Sequence, residues 1–317
     1  MLKYAAKRLW ETVPTTLGVL ILTFALFNVV GGSPAEAILG KNATAESIAA
    51  FNHKWGYDKP LFVGGPGHRL DSQFVRFVTD LVRGDFGYSV ENQEPVADVL
   101  RRGVGPSLSL TVPILVGGVA LGLMLAMVSA TCRGRAADKA VLVASTALMS
   151  INYVVWVLAG QFLLSYKLGL FPIWGYRGWF YLALPVLIGI LSSLGVDVRF
   201  FRMAILDELY KPYVLTARAK GLSGAAILVK HVLRNALIPI VTYISLAIPY
   251  LFTGSLLLES FFGIPGLGSV SINAIHSADM AVVRAVVVLG ALLYQFVNLV
   301  TDLAYAALDP RVRFQKG

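Results

Sequence analysis

The residue types that make and break bonds are present in this chain, but none stands at a spacing that would let it do so. The four histidines (His53, His68, His231, His276) are scattered, with no i, i+4 pair, and the one cysteine, Cys132, has no partner for a disulfide. No H-E-x-x-H, G-x-S-x-G or paired-cysteine pattern occurs, so neither a metal centre nor an activated nucleophile is indicated. A G-x-x-x-x-G-K-[ST] loop is missing too, so the chain has no such device for holding ATP. It reads as a protein that is not an enzyme. What its polar residues do form is one ordered surface, Tyr213-Val-Leu-Thr-Ala-Arg-Ala-Lys-Gly221, continuing through Leu222 and Ser223 to Pro239. The chemistry available there is recognition.

Local physics gives that segment a shape. Pro212 suits the first turn of a helix, where its missing N–H costs nothing. Gly221 suits the left-handed position just past a helix end. Ser223 can cap a second helix, on which Lys230 and Arg234 share a face at i, i+4 spacing. Leu215, Ala217, Leu222, Leu228 and Val232 supply an ordered apolar set. Two short amphipathic helices are therefore expected, presenting a basic docking surface.

Everything around this loop reads as membrane. Hydrophobic residues make up 56% of the chain and charged residues only 14%, with a mean hydropathy of +0.70. Such a composition excludes an ordinary soluble domain. Six spans can be read, at about 12–30, 108–130, 140–166, 180–196, 236–258 and 281–303, each near the ~20 residues that a bilayer core requires. The net charge of +9 is then topology, with no nucleic acid implied. Lys3, Lys7 and Arg8 precede the first span; Arg133, Arg135 and Lys139 fill the second connection; Arg311, Arg313 and Lys316 close the chain. Between Arg199 and Arg234, seven basic side chains face only Asp207 and Glu208. With six spans these clusters share one side, which places both termini in the cytoplasm.

The organisation expected is residues 1–30 as N-terminal segment and first span, 31–105 as a small extracytoplasmic element, 106–307 as the core with a cytoplasmic loop at 198–235, and 308–317 as a tail. Within 31–105, Tyr57–Pro60 and Gly64–Gly67 read as turns, and 73–82 carries helical spacing of Phe74, Phe77, Val78 and Leu81. The first span has the basic start of a signal peptide, but its near-spanning length and Pro34 favour a retained anchor.

Four stretches, in order along nearly the whole chain, resemble the peptide and nickel permease family of ABC importers. They are Gly84-Asp-Phe-Gly-Tyr-Ser89, the Tyr213–Pro239 loop, Leu258-Glu-Ser-Phe-Phe-Gly-Ile-Pro-Gly-Leu-Gly268 and Asp302-Leu-Ala-Tyr-Ala-Ala-Leu-Asp-Pro-Arg311. The resemblance implies an all-α integral membrane protein with the type I ABC-importer permease fold. It implies a homologous second permease, two ATPase subunits that bind ATP and Mg, and an extracytoplasmic substrate-binding protein, in the bacterial inner membrane. This chain itself would hold no cofactor. On the same basis Thr216, Ala217, Arg218, Ala219, Lys220, Gly221 and Leu222 would couple to an ATPase, the small residues allowing close approach and Arg218 and Lys220 contacting the partner or membrane lipid. Glu259, Phe262, Pro265, Gly266 and Asp279 would form an outer gate or binding-protein contact. At Glu259 the competing reading is an interfacial cap on local N–H groups. Ser277-Ala-Asp-Met280 departs from the family's R-D-Y-P, and Ile151-Asn152 from its S-I-P.

Other polar groups read as structural. Asp197 with Arg199, and Asp302 and Asp309 with Arg311 or Arg313, suit ion pairs. Asn152, Tyr153, Gln161, Tyr166, Tyr243, Ser245, Gln295 and Asn298 suit helix packing. The substrate expected is a peptide delivered by the binding protein, with nickel chelates or another small solute as alternatives. An ion-coupled secondary transporter is the rival class, and it would want central charges that the spans largely lack.

Overall fold

The computed structural model describes residues 2–30, 33, 35–40, 43–64, 71–253 and 255–308. The chain divides into two compact units, Met1–Gly105 with Gly266–Gly317, and Pro106–Pro265. Asp309, Arg311, Arg313, Lys316 and the turn at Gly65–Gly67 lie outside the described residues.

In the first unit, α1 (Leu2–Phe24) runs on as a π turn over Ala25–Val30, and α14 (Met280–Leu308) is the other long helix. Short helices α2 (Ala35–Leu39), α3 (Ala45–Trp55) and α4 (Gln73–Arg83) lie between α1 and the start of α5 (Val96–Thr131). The spacing read over 73–82 becomes α4, capped by the Ser72 hydroxyl on the Val75 N–H and ended by Gly84 at φ +74°. Phe24, fully buried, meets the rings of Phe62 and Phe74 edge-on at 5.3 Å each. A two-residue hairpin, β1 (Tyr88–Ser89) with β2 (Glu94–Pro95), was not legible as strand and is the one exception to an all-helical reading among the described residues. Val96, Leu100, Leu267, Ala274, Val282 and Ala285 form this unit's core, the middle pair coming from α13 (Leu267–His276).

The second unit holds the rest of α5, then α6 (Ala136–Ser150), α7 (Tyr153–Gly160, continued by a π turn to Lys167), α8 (Trp179–Leu209), α9 (Pro212–Ala219), α10 (Gly224–Ile227), α11 (Leu233–Thr253) and α12 (Leu256–Phe262). Among the described residues, five helices are long and apolar enough to cross a membrane, or up to seven if two pairs of shorter consecutive helices each count as one. Large apolar side chains point away from the protein along them, among them Leu22, Val116, Val143 and Phe296. In water those faces would be untenable, and in lipid they are the outer surface.

Two of the six expected spans are not single helices. The one read over 140–166 bends by 89° between α6 and α7. Ile151 and Asn152 are extended there, and the Asn152 Oδ1 accepts the Val154 N–H at 2.9 Å to start a new helix. The one read over 236–258 stops at Thr253 and restarts at Leu256, with Ser255 extended between them. At the first break the short Asn152 side chain offers the backbone an alternative to the helical ladder, and at the second the Glu259 carboxylate does so for the Ser255 N–H.

Packing between α6 and α8 depends on a missing side chain. A Cβ at Gly195 would come within 2.5 Å of the Ser145 carbonyl oxygen and 2.7 Å of Met149. Backbone cannot yield as a flexible side chain can, so Gly195→Ala should destabilise the fold by about 1–3 kcal/mol. Gly18→Ala, where nothing lies within 4 Å, should be neutral or mildly stabilising. Thermal unfolding of the two variants in detergent, compared with wild type, measures the difference.

Candidate functional site

The Tyr213–Pro239 loop folds as its residues dictate. Lys211 is extended and Pro212 occupies the first turn of α9. The helix closes with the Gly221 N–H on Arg218 O at 2.9 Å and the Leu222 N–H reaching back to Ala217 O at 3.3 Å, while Gly221 adopts φ +77°. The Ser223 Oγ then accepts the Ala226 N–H at 3.3 Å and opens α10. Each cap read from the sequence is present. The second helix, however, is not a short separate one: α10 passes through a π turn at Leu228–Val232 directly into α11.

Burial divides the expected surface. Thr216, Arg218, Ala219, Lys220, Gly221 and Leu222 are exposed and contiguous, whereas Ala217 is buried. Ala217 therefore packs inward, with Val214, Ile227, Phe201 and Ile205 in one core, and is not part of the outward face. The apolar set splits likewise: Leu228 and Val232 join that core, while Leu215 is 65% exposed and Leu222 40%. An exposed leucine beside Arg218 makes the surface amphipathic, a feature that periodicity alone could not assign. Tyr213 anchors the helix by donating to the Glu208 Oε2 at 2.7 Å, and burial pushes its phenol pKa up.

The basic clusters are not all free surface. The Arg202 guanidinium straddles the Asp138 carboxylate, Nε to Oδ1 and Nη2 to Oδ2 at 3.0 Å each. Asp138 also accepts the Ser129 hydroxyl and, at 2.9 Å, the Gly134 N–H. This partly buried pair ties the α5–α6 turn to α8, and sequence reasoning missed it. Its signal was an acid amid Arg133, Arg135 and Lys139. The pairing expected of Asp197 with Arg199 is not what forms. Asp197 is buried and accepts the Tyr243 hydroxyl at 2.8 Å, and Arg199 donates to Thr146. Asp302 meets Arg8 at 3.5 Å, and the Arg311 and Arg313 expected beside it lie outside the described residues.

The residues expected at an outer gate fall in both units. Glu259 is wholly buried and accepts the Ser107 hydroxyl at 2.8 Å and the Ser255 N–H at 3.1 Å. The capping part of its alternative reading holds. Phe262 fills the core formed with Leu110, Leu184 and Ile264, and Pro265 is exposed. In the other unit, Gly266 is buried and precedes α13. Asp279, also buried, accepts the Ser89 hydroxyl and the Glu91 N–H (3.2 Å) and caps α14 at the Val282 N–H (3.4 Å). Asp279 thus fastens the hairpin to α14. Of the residues read as packing groups, Tyr153 bonds Ser255 at 3.0 Å and Gln161 bridges the Ile173 and Phe261 carbonyls at 2.9 Å, while Tyr166 is exposed.

Long lipid-compatible helices joined to an exposed, capped basic turn mark an integral membrane protein. The chain belongs to the family described as binding-protein-dependent transport system inner membrane component, whose model matches residues 118–314; the corresponding N-terminal model matches residues 1–111. It is thus an inner-membrane permease of the ABC importers, in the peptide and nickel group. It is 35% identical to the glutathione transport system permease protein GsiC of Shigella flexneri serotype 5b (strain 8401), over 99% of this chain and 100% of that one. GsiC of Escherichia coli (strain K12) is 34% identical over the same shares.

Nothing lies within 4 Å of a Cβ placed on Gly221, so its glycine answers only to φ +77°. Gly221→Val should strain the turn by roughly 1–2 kcal/mol, whereas Gly221→Asn should be tolerated. The expected readout is trypsin cleavage after Arg218 and Lys220, faster by about 5–30-fold in the valine variant alone.

Proposed function

We propose that this chain is one of two homologous permeases forming a translocation path for a peptide-class solute, handed over by an extracytoplasmic binding protein and driven by two separate ATPase subunits. Glutathione, which the relatives' names specify, is the first candidate solute. The observation that carries the reading is the exposed Thr216–Leu222 turn, closed by its own backbone bonds and followed directly by α10, which runs on into α11. An ATPase cleft that grips Leu215, Arg218 and Lys220 grips α9, separated by one capped turn from the helix that runs into the membrane. Closure of the ATPase pair on ATP then acts on α11 and, through Tyr243–Asp197, on α8. The nucleotide supplies work because it binds the closed ATPase state better than the open one, and only that difference can shift the permease. ATP and Mg stay in the partner subunits, and this chain makes no bonds. The loop and both termini are cytoplasmic in this reading, and residues 31–105 face outward with Glu259, Phe262, Pro265, Gly266 and Asp279 on the side from which substrate arrives.

Arg218→Glu places like charge where the ATPase would meet a cation, and it touches no core residue. Uptake of radiolabelled glutathione or short peptides by cells carrying the whole system should fall at least about tenfold, with membrane insertion and chain abundance unchanged. Normal uptake by that variant, together with failure of any ATPase to co-purify with the tagged wild type, would refute the docking assignment.

A further inference from the structure

Where the α5–α6 turn meets the last turns of α8 there is a cavity of about 480 Å³, within the size range of small-ligand sites. Its charged lining is Arg133, Arg199, Arg202 and Asp207. Each arginine is already oriented by a neighbour. Arg133 lies 5.1 Å over the Tyr210 ring and bonds its hydroxyl, Arg199 donates to Thr146, and Arg202 is held by Asp138. Arg202 is neutralised by that carboxylate, so Arg133 and Arg199 stand against Asp207 with a single positive charge in excess. A guanidinium has five N–H donors in a fixed fork, and the contacts described for Arg133 and Arg199 use only some of them.

The remaining lining is apolar: Leu142 of α6 and Met203 and Leu206 of α8. Met203 is 55% exposed on a helix of membrane-crossing length and hydropathy. The cavity thus joins a patch of oriented donors to a greasy wall on a lipid-compatible helix. We propose that it binds the headgroup of an anionic phospholipid, with the phosphodiester between Arg133 and Arg199 and the glycerol and first acyl carbons against Leu142, Met203 and Leu206. The one excess positive charge matches the one negative charge of a phosphodiester. Basic pockets between helices are where such headgroups settle in membrane proteins. A soluble partner's carboxylate could meet the arginines, but it would leave Met203 uncovered. Only the assignment of the site to the cytoplasmic leaflet rests on the function proposed above.

Native mass spectrometry of the full chain, purified with whichever subunits accompany it, tests the site directly. Added phosphatidylglycerol should be retained at least about fivefold over phosphatidylcholine, and millimolar inorganic phosphate should not displace it. Arg133→Gln with Arg199→Gln should abolish the preference, and the corresponding Lys pair should keep part of it. Met203→Gln should weaken retention without touching a charge, which covers the case in which the double variant fails to fold. Equal retention of the two lipids, unchanged preference in the Gln pair, or displacement by free phosphate would each overturn the lipid site. None of these residues belongs to Thr216–Leu222, and the readout needs neither uptake nor ATP hydrolysis, so failure here is distinct from failure of the docking assignment.

Discussion

A backbone amide in hydrocarbon must find its partner within the protein, because no water is there to take its place. That constraint makes the spans helical, and it makes every interruption of a helix a local problem with a visible solution. Where α6 gives way to α7, Asn152 takes the Val154 N–H. Where α11 gives way to α12, the Glu259 carboxylate takes the Ser255 N–H. Beyond α12 the chain turns through Gly263 at φ +65°, where a Cβ would lie 2.1 Å from the Trp174 ring. There Gln161 satisfies the Phe261 carbonyl, and the Gly175 N–H satisfies that of Phe262, at 2.8 Å. Of the polar side chains read as packing groups, Asn152 and Gln161 thus stand in for a broken ladder.

This changes what a buried acid signifies here. A carboxylate in a span is by default a functional suspect, and the spans hold more of them than their low charge density suggested. Glu259 serves a helix break, and Asp197 binds α8 to α11 through Tyr243. Tyr243 is itself packed at 4.5 Å against Phe200. Both acids have structural employment that accounts for their burial, which weakens the case for an ion-coupled carrier more firmly than a count of charges could. Nothing in their geometry requires that they move protons.

How much the sequence disclosed depends on the range of the interaction concerned. Pro212, Gly221 and Ser223 act within four or five residues of themselves, and every one is found where local rules put it. The breaks at Asn152 and Ser255 are local too, yet apolar runs on either side hid them, since hydropathy averages over a window longer than the interruption. The Asp138–Arg202 and Asp279–Ser89 pairs join residues 64 and 190 apart, and no periodicity reports on contacts of that kind. Ala217 and Leu215 exchanged roles for a subtler reason. On a two-turn helix a difference of one position moves a side chain by about 100°, and the sequence alone does not say which face meets the core.

The π turn at Leu228–Val232 bears on how the proposed coupling surface would transmit force. A wider turn carries an i→i+5 bond and sits inside an otherwise regular helix, frequently at functional sites. Here Ile227 before it and Leu228 and Val232 within it are locked in the core with Phe201 and Ile205 of α8, while Val229 and Lys230 face outward. Displacement of the Thr216–Leu222 turn would therefore meet a seam that is anchored on one side only. In the proposed mechanism, a push at the surface would then turn α11 against α8, with the buried side as the pivot. The Tyr243–Asp197 bond lies further along the same helix pair, where it would hold the two helices in register while they turn.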